Sequence, residues 1–349
     1  MKKFYILWAG ELISTIGSGM TAFGLGVYVY QQTQLASATA LVSLLALLPT
    51  VLLVPEESYS RASGLIQIAS SARYLISPFL AGFLMKFAGI VLILWMDVCT
   101  FFVTVTATLF VANSMGRKQT ESRKSFFEEF REGVGAITGK TEVLLLVVLS
   151  TAVCFFLTFI QTLCTPMILA FSDEATLGVC ETICAAGMLV SSLIIGVVTI
   201  KKDYVKILAV SFFSIGIFMM LFGLKENIVL VTIAGFLFFM GLPFANTCLD
   251  ILVRRNIPNE MQGRAWGMIG LISQMGYVLA NAVIGPLADY VCEPSLREGG
   301  IFYQNIGKLI GTGTGRGSAL LILTGGLCLC ILAPYVYRSK SIRVLEETL

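Results

Sequence analysis

The sequence predicts an all-α integral membrane protein with about ten spanning helices, four before a polar connector and six after it. Three observations carry this. Apolar residues make up 56% of the 349 and charged residues 13%, with a mean hydropathy of +0.86, far from the roughly one-quarter charged share of soluble domains. Apolar runs of about 20 residues, the length that crosses some 30 Å of hydrocarbon, recur through the chain. Finally, the basic residues are segregated by side. If the N-terminus is cytoplasmic, eighteen of the 24 Lys and Arg fall on the cytoplasmic side, five fall outside, and Arg73 is left inside a helix. That is a positive-inside bias, and it places both termini in the cytoplasm of a multi-pass plasma-membrane protein.

The runs lie near 5–30, 35–54, 64–85, 88–112, 143–171, 175–199, 204–223, 227–249, 265–288 and 317–337. The first follows Met1-Lys2-Lys3 but is too long for a signal peptide, holds Glu11 and lacks a small-residue cleavage site, so it reads as a spanning helix. Residues 1–112 form an amino-terminal bundle and 143–337 a carboxyl-terminal one, with 338–349 a cytoplasmic tail. The polar segment 113–142 joins the bundles. Within it Ser125 and Glu128 stand at capping-box spacing. Phe127, Phe130, Val134 and Ile137 make one apolar stripe, so the segment reads as an amphipathic helix lying on the membrane face or against the bundle. The loop 289–316, with its Gly-Thr-Gly-Thr-Gly-Arg-Gly end, reads as flexible.

Composition also limits the chemistry. The chain has nine cysteines and no histidine, which excludes Ser-His and Cys-His nucleophiles. There is no phosphate loop ending in Gly-Lys-Ser/Thr, so no ATP-driven pump is encoded. Cys180 and Cys184 share a helix face without a second ligand pair, which argues against metal. Neither an enzyme, a cofactor nor a nucleic-acid partner is expected.

One repeat stands out. Val54-Pro55-Glu56-Glu57-Ser58-Tyr59-Ser60-Arg61-Ala62-Ser63-Gly64 aligns without gaps with 257–267, keeping Pro, Glu, Arg, Ala and Gly at identical spacing. Four spans separate the second copy from the connector, but only two precede the first.

Charges at bilayer depth cost several kcal/mol and nominate sites. Glu11, Asp97 and Arg73 are candidates for proton coupling, with Arg73 tuning a carboxylate; a structural counter-ion is the competing reading. Gln161, Glu181, Asn246, Gln274 and Asn281 are candidates for lining a substrate cavity, against the commoner use of such residues in interhelical hydrogen bonds.

These residues sit in motifs that resemble a known family. Leu7-Trp8-Ala9-Gly10-Glu11-Leu12-Ile13-Ser14 with Gly17-Ser18, the loop 54–64, Glu129-Phe130-Arg131-Glu132-Gly133, and Gly285-Pro286-Leu287-Ala288-Asp289 are similar to the major facilitator superfamily. The likeness is to its drug:proton antiporter branch of macrolide-efflux and enterobactin-type exporters. The resemblance implies two bundles that alternate access to a central cavity, with small lipophilic compounds such as macrolides and protons as the partners. It also implies that the amino half lacks the family's third and fourth helices, with the seam near Leu53-Val54-Pro55. Arg61 and Arg264 then fall in gating loops. Ser77, Pro78 and Gly82 occupy the antiporter signature, written here Ser77-Pro78-Phe79-Leu80-Ala81-Gly82 in place of Gly-Pro-x-x-Gly-Gly. The family's Gly-x-x-x-Asp-Arg latch does not follow Thr50. An inserted but transport-inactive remnant is the alternative implied by these departures.

Overall fold

The computed structural model describes residues 2–52, 63–112, 135, 141–198, 202–258 and 262–347. The helices are α1 (Lys2–Thr33), α2 (Ala36–Leu52), α3 (Ser63–Ala112), α4 (Thr141–Leu169), α5 (Glu174–Val197), α6 (Tyr204–Leu224), α7 (Ile228–Asn256) and α8 (Gln262–Leu287). After them come the short α9 (Glu293–Leu296) and α10 (Ile306–Ile310), then α11 (Arg316–Arg338) and α12 (Lys340–Glu347). Helix is what such sequences must form. A bilayer offers no water to the backbone, so each apolar run satisfies its own N–H and C=O groups internally.

By length and apolarity, eight helices can cross a membrane among the described residues, one of them the 34-residue run Arg73–Thr106. A straight helix of that length would measure about 51 Å, well beyond the hydrocarbon thickness. The backbone resolves the excess at Gly89, whose φ of 68° and ψ of −177° break the helix where only glycine sits without strain. Both arms then pack along α1. Gly24 lies between Met85 of the first arm and Ile93 of the second. Nearer the start of α1, Gly19 meets Arg73 and Ser77, while Gly17 meets Asp97 and Thr100. Contacts on the two arms thus diverge from Gly89 along one partner, so α3 is a hairpin crossing twice. Counting the two arms of α3 separately and adding α2, which at 17 residues falls just under the usual spanning length, the described residues offer ten apolar helical segments, four in α1–α3 and six in α4–α8 and α11.

The larger apolar core sits in the later helices, where Leu163, Ile168, Leu208, Phe212, Phe222, Phe238 and Leu252 are fully buried. The core among α1 and α3 is small, built on Met20, Ala81 and Ile93. Four segments enclose less interior than six, and lipid leaves the outward side chains of α3, such as Trp95 and Phe101, exposed.

The expected flexible loop 289–316 is more ordered than its glycines suggest. A π-helical turn, Ala288–Cys292, extends α8, and the Glu293 carboxylate accepts from the amides of Gly315 and Gly317 at 3.1 and 2.8 Å. Those are the orphan donors at the start of α11, so Glu293 caps it. Arg316 is 1% exposed. It donates to the Gly223 carbonyl at 3.0 Å and lies 3.7 Å from Glu226. Charge pairing and capping order a segment whose composition alone looks loose. The connector helix expected within 113–142, the loop 54–64 with Arg61, and the seam at 53–55 lie outside the described residues, apart from 63–64, 135 and 141–142 at their edges. Arg264 falls within α8.

Candidate functional site: a cavity between the two helix groups

Helices α1–α3 meet α4–α11 most closely at one face, which holds the α1–α2 turn and the α4–α5 turn. The N-terminus of α2 carries no capping side chain of its own, and Asp289 from the end of α8 supplies one. Its two carboxylate oxygens accept from Ala36 N at 2.8 Å and Ser37 N at 2.7 Å. An anion at a helix N-terminus also gains from the macrodipole. Gln31 donates to Glu174. Lys86 forms an ion pair with Asp173 at 2.7 Å; that ammonium, with the Thr176 hydroxyl and amide, holds the Asp173 carboxyl well below the usual carboxylate range.

Beneath these polar ties the first arm of α3 packs backbone to backbone on α5. Gly82 faces Gly178, and Thr182 donates to the Leu75 carbonyl at 3.0 Å. Ser77 turns the other way and donates to Ile16 O at 2.9 Å. The three positions read as an antiporter signature therefore fix this arm between α1 and α5, with Pro78 also on the cavity wall.

Deeper in the molecule is a cavity of about 210 Å³. Its walls come from both helix groups: Gly19, Phe23, Thr39, Ser43, Arg73 and Tyr74 on one side, Gln161, Thr165, Glu181, Phe222, Phe239 and Tyr277 on the other. Arg73 lies on the wall, exposed, with its stem against Gly19. Gln161 and Glu181 line the opposite side and are half-buried. Asn281 is not on this wall. It is 2% exposed, accepts an interhelical hydrogen bond from Thr162 of α4 at 2.8 Å and donates within α8 to Tyr277 O at 3.1 Å. Asn246 is exposed and Gln274 half-buried, both away from the cavity. Glu11 is exposed on α1. Asp97, on the second arm of α3, accepts from Ser18 at 3.1 Å. Neither lines the cavity, and neither pairs with Arg73, since the two ion pairs among the described residues are Lys86–Asp173 and Arg316–Glu226.

Sequence reasoning named Glu181 only as one polar position among several. What sets it apart is α5's placement: one turn of that helix presents Glu181, Cys184 and Ala185 to the cavity, while Cys180 turns toward Thr232 of α7 at 3.3 Å. Thr39, Ser43 and Tyr277 carried no signal at all, because a lone hydroxyl in a spanning helix ordinarily bonds its own backbone. Cys180 and Cys184 approach to 4.0 Å, and no metal-holding cluster occurs among the described residues.

A two-group bundle with a shared cavity at its centre is a transporter architecture, and comparison with known families agrees. The model of the Major Facilitator Superfamily matches residues 12–281. The chain belongs to the Major Facilitator Superfamily. That membership places it among membrane transporters rather than enzymes. Macrolide efflux protein A of Streptococcus pyogenes is 24% identical over 254 residues, 69% of this chain and 61% of that protein. The protein of the same name from Enterococcus faecalis is 23% identical over 232 residues, 65% of this chain and 72% of the relative. This chain thus spans about three-fifths of the length of the streptococcal relative. Among solved structures, the nucleoside transporter NupG superposes with a TM-score of 0.61 at 12% identity, covering 97% of this chain and 96% of its own. A bacterial homologue of the human lysosomal transporter Spinster, in an inward-facing, unoccupied conformation, gives 0.53 at 11%, with 99% and 98% covered. Both show the fold, with α2 followed directly by the α3 hairpin in this chain.

Proposed function

We propose that this facilitator exports small lipophilic compounds, macrolides among them, by alternating access of the cavity between α1–α3 and α4–α11, driven by proton uptake. The observation that carries the reading is the pairing of a closed face with a shared cavity: the ties at Asp289, Glu174 and Asp173 all join the two groups on one side of it. The basic residues gather at the other face, so the positive-inside rule puts the closed face outside and both termini in the cytoplasm. This state is then one in which cargo is loaded from within. Division into bundles 1–112 and 143–337 follows the same grouping.

Proton coupling calls for a carboxylate that cargo and proton can contest. Glu181 meets that requirement from the cavity wall, with Arg73 opposite. Glu11 and Asp97 could act only through α1 and the α3 hairpin. At 210 Å³ the cavity lies below the roughly 300–1,000 Å³ of drug-sized sites, so a macrolide requires the groups to part further than a smaller cargo does.

The test is erythromycin accumulation in cells expressing the chain, with and without a protonophore. Uncoupler-sensitive lowering supports export. Unchanged accumulation with the protein present in the membrane sinks it in favour of an inactive remnant. If export occurs and Glu181→Gln runs at full rate while Glu11→Gln or Asp97→Asn does not, the proton carrier is one of those two instead.

A further inference from the structure

The cavity holds one basic and one acidic side chain, and they come from different helix groups: Arg73 from the first arm of α3, Glu181 from α5. Neither belongs to either ion pair of the described residues, so no direct ion pair joins the two across the space. The walls also carry five aromatic side chains, Phe23 and Tyr74 from one helix group and Phe222, Phe239 and Tyr277 from the other. From these observations we infer that the cavity recognises small amphoteric ligands, compounds with an apolar body whose ammonium group meets Glu181 and whose anionic group meets Arg73.

The inference rests on the export reading only for its use of the cavity as a cargo site, and it ranks a macrolide, which carries an amine and no acid, below an amphoteric cargo of that site. Its physical basis is that charges are costly to desolvate unless paired. A purely cationic ligand satisfies Glu181 but leaves Arg73 facing it as a like charge. A purely anionic ligand does the reverse. A zwitterion satisfies both, and the mismatch itself supplies the discrimination. Because the two residues stand on different helix groups, a bridging ligand also ties the groups together. Arg73 is held for this role by α1: a side chain at Gly19 would press on its Cγ at 2.8 Å. Glu181 is held by α5, whose neighbouring Cys184 packs against Gly235 of α7.

Three matched probes separate the charges: Nα-benzoyl-lysine, a zwitterion with about six ångströms of reach between its ends; N-benzoylcadaverine, the same body without the carboxylate; and Nα-benzoylnorleucine, without the ammonium. Binding is measured by calorimetry on the full chain in lipid nanodiscs, with no gradient. The zwitterion is expected to bind about tenfold or more tightly than either analogue, as a charge-assisted contact at each end predicts. Arg73→Gln should bring the zwitterion to the affinity of the cation, and Glu181→Gln to that of the anion. The exchanged pair Arg73→Glu with Glu181→Arg should recover preference for the zwitterion, which loss of folding could not do. Thermal melting confirms that each variant is folded. Equal affinity for zwitterion and cation, or no binding of any probe by a folded wild-type chain, overturns the inference. A chain that discriminates the probes yet fails to export erythromycin keeps this inference and loses the export reading. A chain that exports erythromycin without discriminating the probes keeps the export reading and loses this inference.

Discussion

Gly82→Ala probes the closed face most directly. A β-carbon at Gly82 would lie 2.6 Å from the Glu174 carbonyl oxygen and 3.2 Å from Gly178 Cα, where ordinary van der Waals contact begins at 3.4 Å. The obstacles are backbone atoms, so no rotamer change relieves the overlap. Either the α3 arm or α5 must move by several tenths of an ångström. Overpacking of this kind costs about 1–3 kcal/mol. The overlap exists only while the two helix groups are closed on this face, so the cost falls on that state and spares any state in which they part. A bias of that size corresponds to about 5–150-fold in population. The assay uses native thiols. Cys164 and Cys184 line the cavity, so a membrane-impermeant methanethiosulfonate added outside intact cells reaches them only when the closed face opens. Peptide mass spectrometry follows their modification. Gly82→Ala should speed it by that factor, and Gly82→Val by more. An unchanged rate in a folded protein would refute the argument that this contact seals the cavity, and slower labelling would reverse its sign.

The other expectations share these readouts. Asp289→Asn removes the charge that caps α2 and weakens two hydrogen bonds. By the usual worth of a helix-terminal anion, about 0.3–2 kcal/mol, it should raise outside labelling several-fold, and Asp289→Glu should fall between it and the wild type. Lys86→Gln should have little effect, because its pair is exposed and screened. With the Asp173 carboxyl held well below its ordinary range, its tie is complete above that range and lost only as pH falls through the lowered value. The ratio of the Lys86→Gln labelling rate to the wild-type rate, in which the pH dependence of the thiolate itself cancels, should therefore be flat from about pH 8 to about pH 5, both above the ordinary carboxylate range; a change in that ratio within the window would contradict the pairing. Asn281→Leu leaves the buried Thr162 hydroxyl without its acceptor and should lower stability by about 1–3 kcal/mol in detergent melting, with cavity labelling unchanged.

Much of this protein was legible in one dimension. The apolar runs became helices because a bilayer permits few other structures, eight of the described helices being long and apolar enough to cross, and the break between 64–85 and 88–112 survives as the bend at Gly89. The family motifs could also be read from the chain, the antiporter signature only in part, since Pro78 and Gly82 match it while Ser77 stands where the pattern has glycine. The site was not. Asn246, Asn281 and Glu181 look alike as polar residues in apolar helices, and the face each presents depends on the rotation and pairing of its helix, which run length does not encode. Arg73 was nominated as partner to Glu11 or Asp97, neighbours in the amino-terminal helices. The hairpin at Gly89 instead points the two arms of α3 along different sides of α1, leaving Arg73 on the cavity and Asp97 beside Ser18. Nor could sequence show that Asp289 reaches across more than two hundred residues to cap α2. Hydrophobicity fixed what crosses the membrane, while the packing of small residues and a few long-range hydrogen bonds determined which polar groups meet.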